Sequence, residues 1–268
     1  MKRRFLALLA ALLLTACAAE PSVPAAPPEH PAEPAVQPVP PPEPVPTTPP
    51  PSPEPEPEPP PPAEPAPEPM DPGLQENEDG LYFVQPDGTY LQDGYEGVLY
   101  FDAQGRYTTG SADLDAAVDE VLAAAVTDPS ADRETRLKEA YYYIRDHYSY
   151  IGIRHYDAGT TDWLEEAALF LAQNGKSNCY GFTALFACCA RRLGYQAQVV
   201  AGHEYTADND HAWVMIDWED GETYLFDVQL EYAYLYIYNR GPIDMFKAAS
   251  SGGGIYNGKA YFFPGAAS

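Results

Sequence analysis

The sequence has 268 residues, with 40 acidic against 15 basic side chains and a formal net charge of −25 at pH 7. This excess of negative charge excludes nucleic acid and anionic lipid headgroups as expected partners, because both require positive counter-charge. Of the four cysteines, Cys17 belongs to the N-terminal segment; the remaining three are an odd number, so a disulfide framework is not expected.

The N-terminus has the three parts of a secretory signal. Residues 2–4 are basic, residues 5–14 are apolar, and small residues precede Cys17. The apolar run is too short to remain in a bilayer as a spanning helix. The order Leu14-Thr15-Ala16-Cys17 is similar to the lipobox of bacterial lipoproteins, and an ordinary signal peptide with a chance cysteine is the alternative. The resemblance implies a signal peptide over 1–16, a lipid on the sulfur of Cys17, and an extracytoplasmic protein anchored to the cell membrane.

Residues 17–70 are predicted to form a disordered stalk. Residues 20–69 contain most of the chain's 30 prolines together with spaced glutamates, and no Lys, Arg or aromatic residue. Such a composition cannot bury enough apolar surface to offset chain entropy. Proline favours the extended polyproline II conformation, at ~3.1 Å per residue. We therefore expect a spacer between the membrane and the rest of the chain; a ligand for a proline-binding module is the alternative.

Residues 71–110 contain a short internal repeat. Gly80-Leu81-Tyr82-Phe83 and Gly97-Val98-Leu99-Tyr100-Phe101 are each followed by a glycine turn, another aromatic residue and a closing glycine. The pattern predicts successive β-hairpins. It is similar to the aromatic hairpin repeats of cell-wall- and choline-binding proteins, which implies a cell-wall component as a partner. The alternative is a β-appendage packed on the main domain.

Four helices and three strands are predicted in the rest of the chain, from apolar residues at helical spacing and from β-branched and aromatic runs. The expected helices cover residues 114–125, 131–147, 162–175 and 178–194, and the expected strands cover residues 197–201, 211–218 and 222–228. Ser130 is the expected cap of the second helix. Asp162, three residues before Glu165, resembles a capping box for the third, which should end at Gly175.

Cys179 is the candidate nucleophile. It lies in the first turn of the fourth predicted helix, where free backbone N–H groups and the helix dipole favour the thiolate. Cys188 and Cys189 fall in the middle of the same helix, where small buried apolar cysteines are expected. Gly181 leaves room for a close neighbour of this helix.

His211 and Asp227 are the candidate partners of the thiol, because a base must reach the sulfur and an acceptor must hold the other ring nitrogen. His211 follows a polar loop and is expected at the rim of a strand. A two-residue turn at Asp220-Gly221 would place the two side chains on opposite faces of a hairpin. The three-residue turn Glu219-Asp220-Gly221 places Gln229 opposite His211, and Asp227 diagonal to it on the same face. Gly221 at the end of the turn favours this second register.

Three short motifs occur here in a familiar order. Asn178-Cys179-Tyr180-Gly181-Phe182-Thr183, His211-Ala212-Trp213-Val214 and Tyr224-Leu225-Phe226-Asp227 resemble the motifs of transglutaminase-like proteins, a branch of the papain-like thiol superfamily. The resemblance implies an α+β, papain-like fold over residues 111–268, with helices packed on an antiparallel sheet and the hairpin region before it. One departure is Val228-Gln229, where family members often have Pro-Thr.

The same resemblance implies roles for the three residues: Cys179 as nucleophile, His211 as general base and acid, and Asp227 as the group that orients the histidine. The implied activity is thiol-dependent acyl transfer to, or hydrolysis of, protein or peptide amides, as a peptidase, deamidase or transglutaminase. A catalytically inactive domain that serves as a cell-wall or protein-binding module is the alternative. A protein or peptide substrate and a monomer are expected.

Several other residues are candidates for parts of the site. The backbone N–H of Cys179 is one natural oxyanion donor, and Trp163, Gln173 and Asn178 are open alternatives for the second. His203 competes with His211 as base, but no acidic strand neighbour is expected to orient it. The remaining histidines in this region, His147 and His155, are expected at the surface.

No metal site or cofactor is expected. The cysteines are not spaced as zinc ligands, and no phosphate-binding glycine loop follows a predicted strand.

Overall fold

A five-stranded antiparallel sheet, with a buried helix packed across one face, organises the part of the chain that the computed structural model describes: residues 70–152, 156, 162–204 and 210–262. These residues belong to one structural unit, Glu64–Ser268. The predicted signal peptide, Cys17, the stalk over 17–69 and His155 lie outside the described residues. None of the helices in the described ranges is long and apolar enough to cross a membrane.

Short antiparallel strands form the region before the helices. They are β1 (Gly73–Asn77), β2 (Gly80–Val84), β3 (Gly94–Glu96), β4 (Leu99–Phe101) and β5 (Tyr107–Thr108). The first two strands form one hairpin and the other three form a separate small sheet. Leu81, Leu99, Phe101 and Tyr107 form a small core between them, because alternate strand residues point to the same side.

This β-region packs on the helical part through specific contacts. Arg136 forms a two-pronged ion pair with Glu76, at 2.9 and 2.7 Å. The side chain of Gln196 accepts from the Val98 backbone N–H at 2.9 Å and donates to the Glu96 carbonyl at 3.1 Å. Gly97 lies between these two residues with φ +61°, and a Cβ there would be 2.1 Å from the Gln196 Oε1 atom. The turn therefore requires glycine both for its backbone conformation and for this contact.

Four long helices follow: α1 (Ala112–Ala125), α2 (Arg133–His147), α3 (Leu164–Asn174) and α4 (Cys179–Arg192). Two predicted caps are wrong. The second helix is capped by Asp132, whose side chain accepts from the Thr135 N–H, and not by Ser130. The third begins at Leu164 after Trp163, without a side-chain cap from Asp162. Its predicted end is confirmed, because Gly175 adopts the left-handed conformation with φ 70°.

The main sheet has the order β10-β9-β8-β12-β11. Its strands are β8 (Ala197–Glu204), β9 (Asp210–Asp217), β10 (Thr223–Phe226), β11 (Ile255–Tyr256) and β12 (Lys259–Phe262). A parallel pair, β6 (Ser149–Tyr150) with β7 (Lys176–Ser177), lies immediately before α4. A short helix α5 (Val228–Tyr232) and a π-helical turn (Ala233–Ile237) follow β10. The predicted fold class, α+β with helices packed on an antiparallel sheet, is confirmed.

Helix α4 is the centre of the core. Every residue from Cys179 to Ala190 is buried, on all sides of the helix. The reason is that α2 and α3 cover the side of α4 that faces away from the sheet. Phe182 and Phe186 are fully buried on this helix, and burial of such a side chain stabilises the fold by ~1.5–3 kcal/mol. The core therefore fixes the helix that carries the thiol.

Candidate active site

The start of α4 holds Cys179 in place. Asn178 caps the helix, and its Oδ1 atom accepts from the Tyr180 backbone N–H at 3.2 Å. Cys179 is the first helical residue and is 7% exposed. The backbone N–H groups of a first helical turn have no acceptor within the helix, and they place partial positive charge beside the sulfur. The placement predicted for this thiol is therefore the one observed.

Gly181 lets this helix start approach its neighbours closely. A Cβ atom at Gly181 would lie 2.3 Å from the Ser177 Oγ atom and 3.3 Å from the Ala167 carbonyl oxygen. Any side chain at this position would push α4 away from β7 and α3. The close neighbour expected for this glycine is thus Ser177, two residues before the thiol.

The hairpin of β9 and β10 brings His211 and Asp227 together. Phe226 pairs with Val214 and Thr223 with Asp217, so the loop is the predicted three-residue turn Glu219-Asp220-Gly221. Gly221 adopts φ +83°, as a left-handed turn residue. The predicted register is confirmed, and the His211 Nε2 atom lies 2.7 Å from the Asp227 Oδ2 atom.

Asp227 lies just beyond the strand predicted to contain it. Strand β10 ends at Phe226, and Asp227 is the N-cap of α5, with its Oδ1 atom accepting from the Leu230 N–H at 2.9 Å. Gln229 consequently belongs to α5 and does not lie opposite His211. An aspartate satisfies free N–H groups at a helix start, and here the same carboxylate holds the histidine with its other oxygen.

His211 also contacts the thiol. Its Nε2 atom faces Asp227, which leaves Nδ1 for the hydrogen bond that joins the ring to Cys179. Burial lowers the pKa of His211, but the charge of Asp227 and the hydrogen bonds to Asp227 and Cys179 outweigh it, so the pKa is raised well above its ordinary value. The ring is near the start of β9, as predicted, yet it is 3% exposed instead of lying at an open rim. The geometry therefore places the imidazole ring between the thiol and the carboxylate, with a hydrogen bond to each.

Three groups that the sequence did not reveal surround Asp227. The Tyr261 hydroxyl donates to the Oδ2 atom at 2.8 Å, and the Tyr141 hydroxyl donates to the backbone carbonyl at 3.0 Å. The backbone N–H of Asp227 donates to the Met245 carbonyl at 3.2 Å. Asp227 is 1% exposed, and these bonds satisfy its buried polar atoms, as a buried carboxylate requires.

A buried ion pair lies one helical turn beyond Asp227. Glu231 accepts from the Tyr141 hydroxyl at 2.9 Å and from the Met245 backbone N–H at 3.1 Å, and it pairs with Arg145. Burial raises the pKa of Glu231, while the hydrogen bonds from Met245, Arg145 and Tyr141 oppose the rise. Tyr141 thus connects the carbonyl of Asp227 to a second, fully bonded carboxylate.

Tyr150 is a further titratable group that interacts with Cys179. It pairs with Ser177 in the parallel β6–β7 ladder, and it is 36% exposed. Burial, together with the nearby charge of Cys179, raises the pKa of Tyr150, and His211 acts in the opposite sense. An aromatic side chain is therefore close enough to Cys179 for the two groups to interact electrostatically.

The other histidines in the described residues, His147 and His203, lie in different surroundings from His211. The expectation that His203 has no acidic neighbour is wrong, because its Nδ1 atom lies 3.0 Å from the Asp210 Oδ1 atom. The two residues are paired across β8 and β9, and β8 runs three residues past its predicted end at Ala201. His147 is exposed and stacks on Tyr143.

Cys188 and Cys189 are fully buried free thiols, as predicted. Burial raises the pKa of Cys188 to about 12 and that of Cys189 well above its ordinary value, so neither is an activated nucleophile.

The three candidates for the second oxyanion donor have different surroundings in the structure. Gln173 is exposed on α3, and Asn178 uses its side-chain oxygen as a helix cap. Trp163 is buried against the ring of Tyr180, with 4.8 Å between ring centroids. In the described ranges, no group of three or more His, Cys, Asp or Glu side chains is arranged to hold a metal ion.

Comparison with known proteins finds one family model that matches part of the chain. Residues 120–227 match the family model described as transglutaminase-like superfamily. The matched range begins in α1, ends at Asp227 and includes Cys179 and His211. Residues 120–227 are therefore similar to a transglutaminase-like superfamily domain, over less than half of the chain.

Two solved structures are similar to the chain over part of its length. One is described as a TGase, at 19% identity and a TM-score of 0.34, covering 43% of this chain and 31% of that chain. The other is the periplasmic domain of TgpA from Pseudomonas aeruginosa bound to ethylmercury, at 15% identity and a TM-score of 0.34, covering 50% of this chain and 48% of that chain. The chain thus spans less than half the length of either structure. No curated protein matches it.

Proposed function

We propose that this chain is an extracytoplasmic thiol enzyme that transfers acyl groups from protein or peptide amides, or hydrolyses those amides, through Cys179, His211 and Asp227. The observation that carries the proposal is the position of one buried histidine between a helix-start thiol and a buried carboxylate. A thiolate, a proton carrier and a fixed orienting group are the parts that covalent acyl transfer needs.

In the first half of the reaction, the Cys179 thiolate attacks the carbonyl carbon of an amide. A carbon–sulfur bond forms and the carbonyl π electrons move to oxygen, giving a tetrahedral oxyanion. The backbone N–H of Cys179, at the positive end of α4, is a suitable donor to that oxyanion. The carbon–nitrogen bond then breaks, the His211 imidazolium gives its proton to the departing amine, and a thioester remains.

In the second half, neutral His211 takes a proton from an incoming water or amine as that nucleophile attacks the thioester. The tetrahedral intermediate collapses, the carbon–sulfur bond breaks, and the thiolate–imidazolium pair is restored. Water gives a carboxylic acid, as in a peptidase or deamidase, and an amine gives a new amide, as in a transglutaminase. Asp227 keeps the ring in the required orientation in both halves.

A thiol-directed activity probe tests this proposal on the full chain. We expect stoichiometric labelling of Cys179, lost in Cys179→Ala and strongly reduced in His211→Ala, with the labelled peptide identified by mass so that Cys17 is counted separately. Cys188→Ala is the matched control and should label like the wild type. Labelling that does not depend on His211 would contradict the proposed enzyme activity and favour the alternative of a catalytically inactive binding module. Incorporation of a labelled amine against release of peptide or ammonia then separates transferase from hydrolase.

The proposed location rests on the N-terminal sequence, namely the basic and apolar segments followed by Leu14-Thr15-Ala16-Cys17. Metabolic labelling with an alkyne fatty acid should mark the wild-type chain in the membrane fraction. A Cys17→Ala variant should lose the label and leave that fraction. Retained label in the variant would contradict lipidation at this cysteine.

A further inference from the structure

Tyr261 lies against the orienting carboxylate, 34 residues beyond it in the chain. Its hydroxyl donates to the Asp227 Oδ2 atom at 2.8 Å, and the same oxygen faces the His211 Nε2 atom at 2.7 Å. Two donors therefore share one carboxylate oxygen. Because each donor draws electron density from that oxygen, the hydrogen bond from one weakens the attraction felt by the other.

The tyrosine is held rigidly in this position. Tyr261 is 2% exposed, and its ring packs on Trp213 with 5.0 Å between ring centroids and on Tyr256 with 6.1 Å. Strand β12 carries it into the sheet, where Tyr261 pairs with Glu204. A hydroxyl that is buried and bonded in this way has one stable direction, toward Asp227.

The hydroxyl also stays protonated. Burial and the negative charge of Asp227 raise the pKa of Tyr261 well above its ordinary value. It is consequently a hydrogen-bond donor at neutral pH, where it adds no second negative charge beside the carboxylate.

We propose that Tyr261 is a positioning residue of the active site, which fixes the Asp227 carboxylate and moderates its attraction for the His211 ring. The inference rests on the proposed function for its catalytic meaning. Tyr261 lies outside the range 120–227 that matches the family, so the proposal assigns a role to a segment of the chain that the family comparison does not cover.

The ionisable groups around this pair come from several elements. Those facing Asp227 are His211, Tyr141, Tyr261 and, through Tyr141, Glu231. Those facing His211 are Cys179, Asp227 and Tyr150. Glu204 and Tyr141 also act on Tyr261. Substitution of tyrosine by phenylalanine changes no formal charge in this set, so a changed titration of His211 would come from the lost hydrogen bond.

The test is the pH titration of His211, followed by NMR of the ring Cε1–H signal in the full chain. The chain has five histidines, so single substitutions assign the signal. In Tyr261→Phe the midpoint should rise by about half a pH unit to one pH unit, because the carboxylate then offers its full charge to the imidazolium. Tyr256→Phe, a buried neighbour whose ring packs on Tyr261, is the matched control and should leave the midpoint unchanged. An unchanged or lowered midpoint in Tyr261→Phe overturns the proposal.

A second measurement needs no folded variant at position 261. In the wild type, the Tyr261 hydroxyl proton should exchange slowly and show a nuclear Overhauser contact with the His211 Nε2 proton. Absence of that contact also overturns the proposal. Neither measurement depends on catalytic turnover. If the His211 midpoint shifts in Tyr261→Phe but Cys179 fails the thiol-probe test, only the proposed enzyme activity is contradicted. If Cys179 passes the probe test but the midpoint does not shift, only the positioning role of Tyr261 is contradicted.

Discussion

Gly202 and Phe262 approach each other so closely that no side chain fits between them. A Cβ atom on Gly202 would lie 2.3 Å from the Phe262 carbonyl oxygen and 2.8 Å from the Trp213 ring. Gly202 is on β8, where it pairs with His211, and Phe262 is on β12, beside Tyr261. This single contact therefore sets how near the tyrosine strand can come to the site.

Gly202→Ala should loosen β12 and destabilise the protein. Overpacking of this kind costs ~1–3 kcal/mol, and denaturant unfolding should show a loss in that range. Gly152→Ala is the control, because a Cβ at Gly152 meets nothing within 4 Å and its φ is not in the left-handed region. Equal stability of the two variants would mean that β12 can move away from β8 without a cost in folding free energy.

The free energy of unfolding should depend on pH through the titration of His211. Its pKa is raised in the folded protein, so its contribution is fully present below the ordinary histidine pKa of about 6.5 and is lost as pH rises through the folded value. The free energy of unfolding of the wild type, minus that of His211→Gln, should therefore fall above about pH 6.5, by up to ~1.4 kcal/mol per pH unit. A difference that grows or stays constant with pH would contradict this sign.

Much of the site was predictable because its signals are local. The position of Cys179 follows from a helix-start pattern, and the His211–Asp227 register follows from the length of one turn and the glycine that ends it. The tyrosines that bind Asp227 were not predictable, since Tyr141 and Tyr261 come from distant elements and resemble any core tyrosine in sequence.

Two errors had a common cause, the uncertain ends of strands. Because β8 was expected to end at Ala201, His203 was not expected to be in a strand, and its pairing with Asp210 could not be predicted. The predicted extension of β10 to Val228 hid the cap that Asp227 provides for α5. In each case a backbone pairing or a cap decided the boundary, and side-chain propensity did not.

Tyr141→Phe should destabilise the protein and leave its charge unchanged. The hydroxyl shares its one proton between the Asp227 carbonyl, at 3.0 Å, and the Glu231 Oε2 atom, at 2.9 Å, and loss of a buried donor that leaves its acceptors unsatisfied costs ~1–3 kcal/mol. Tyr142→Phe on the same helix, with a partly exposed side chain, is the control. Equal denaturation midpoints for the two variants would show that water replaces the hydroxyl.

The contact between Gly97 and Gln196 can be separated from backbone strain by a matched pair of variants. Gly97 and Gly88 both have positive φ, but a Cβ meets Gln196 only at Gly97 and meets nothing within 4 Å at Gly88. Both substitutions place alanine in a left-handed backbone conformation, which costs ~1–2 kcal/mol of folding free energy. Gly97→Ala should be less stable than Gly88→Ala by a further measurable amount in denaturant unfolding. Equal losses would mean that the Gln196 side chain moves aside and does not hold the β-region.

Gly181→Ala should reduce the reactivity of Cys179 through geometry alone. The added methyl would collide with the Ser177 Oγ and Cβ atoms, at 2.3 and 2.4 Å, and would shift the start of α4 relative to His211. Misplacement of reacting groups by about 1 Å can cost on the order of 100-fold in rate, so labelling of Cys179 by the thiol probe should slow markedly.

The double variant Gly181→Ala with Ser177→Gly should recover most of that loss, because it removes both colliding atoms. Non-additivity of this kind is the mark of a direct contact. Ser177→Gly alone should label like the wild type. If the double variant labels no faster than Gly181→Ala, the defect lies in the helix itself and not in its approach to β7.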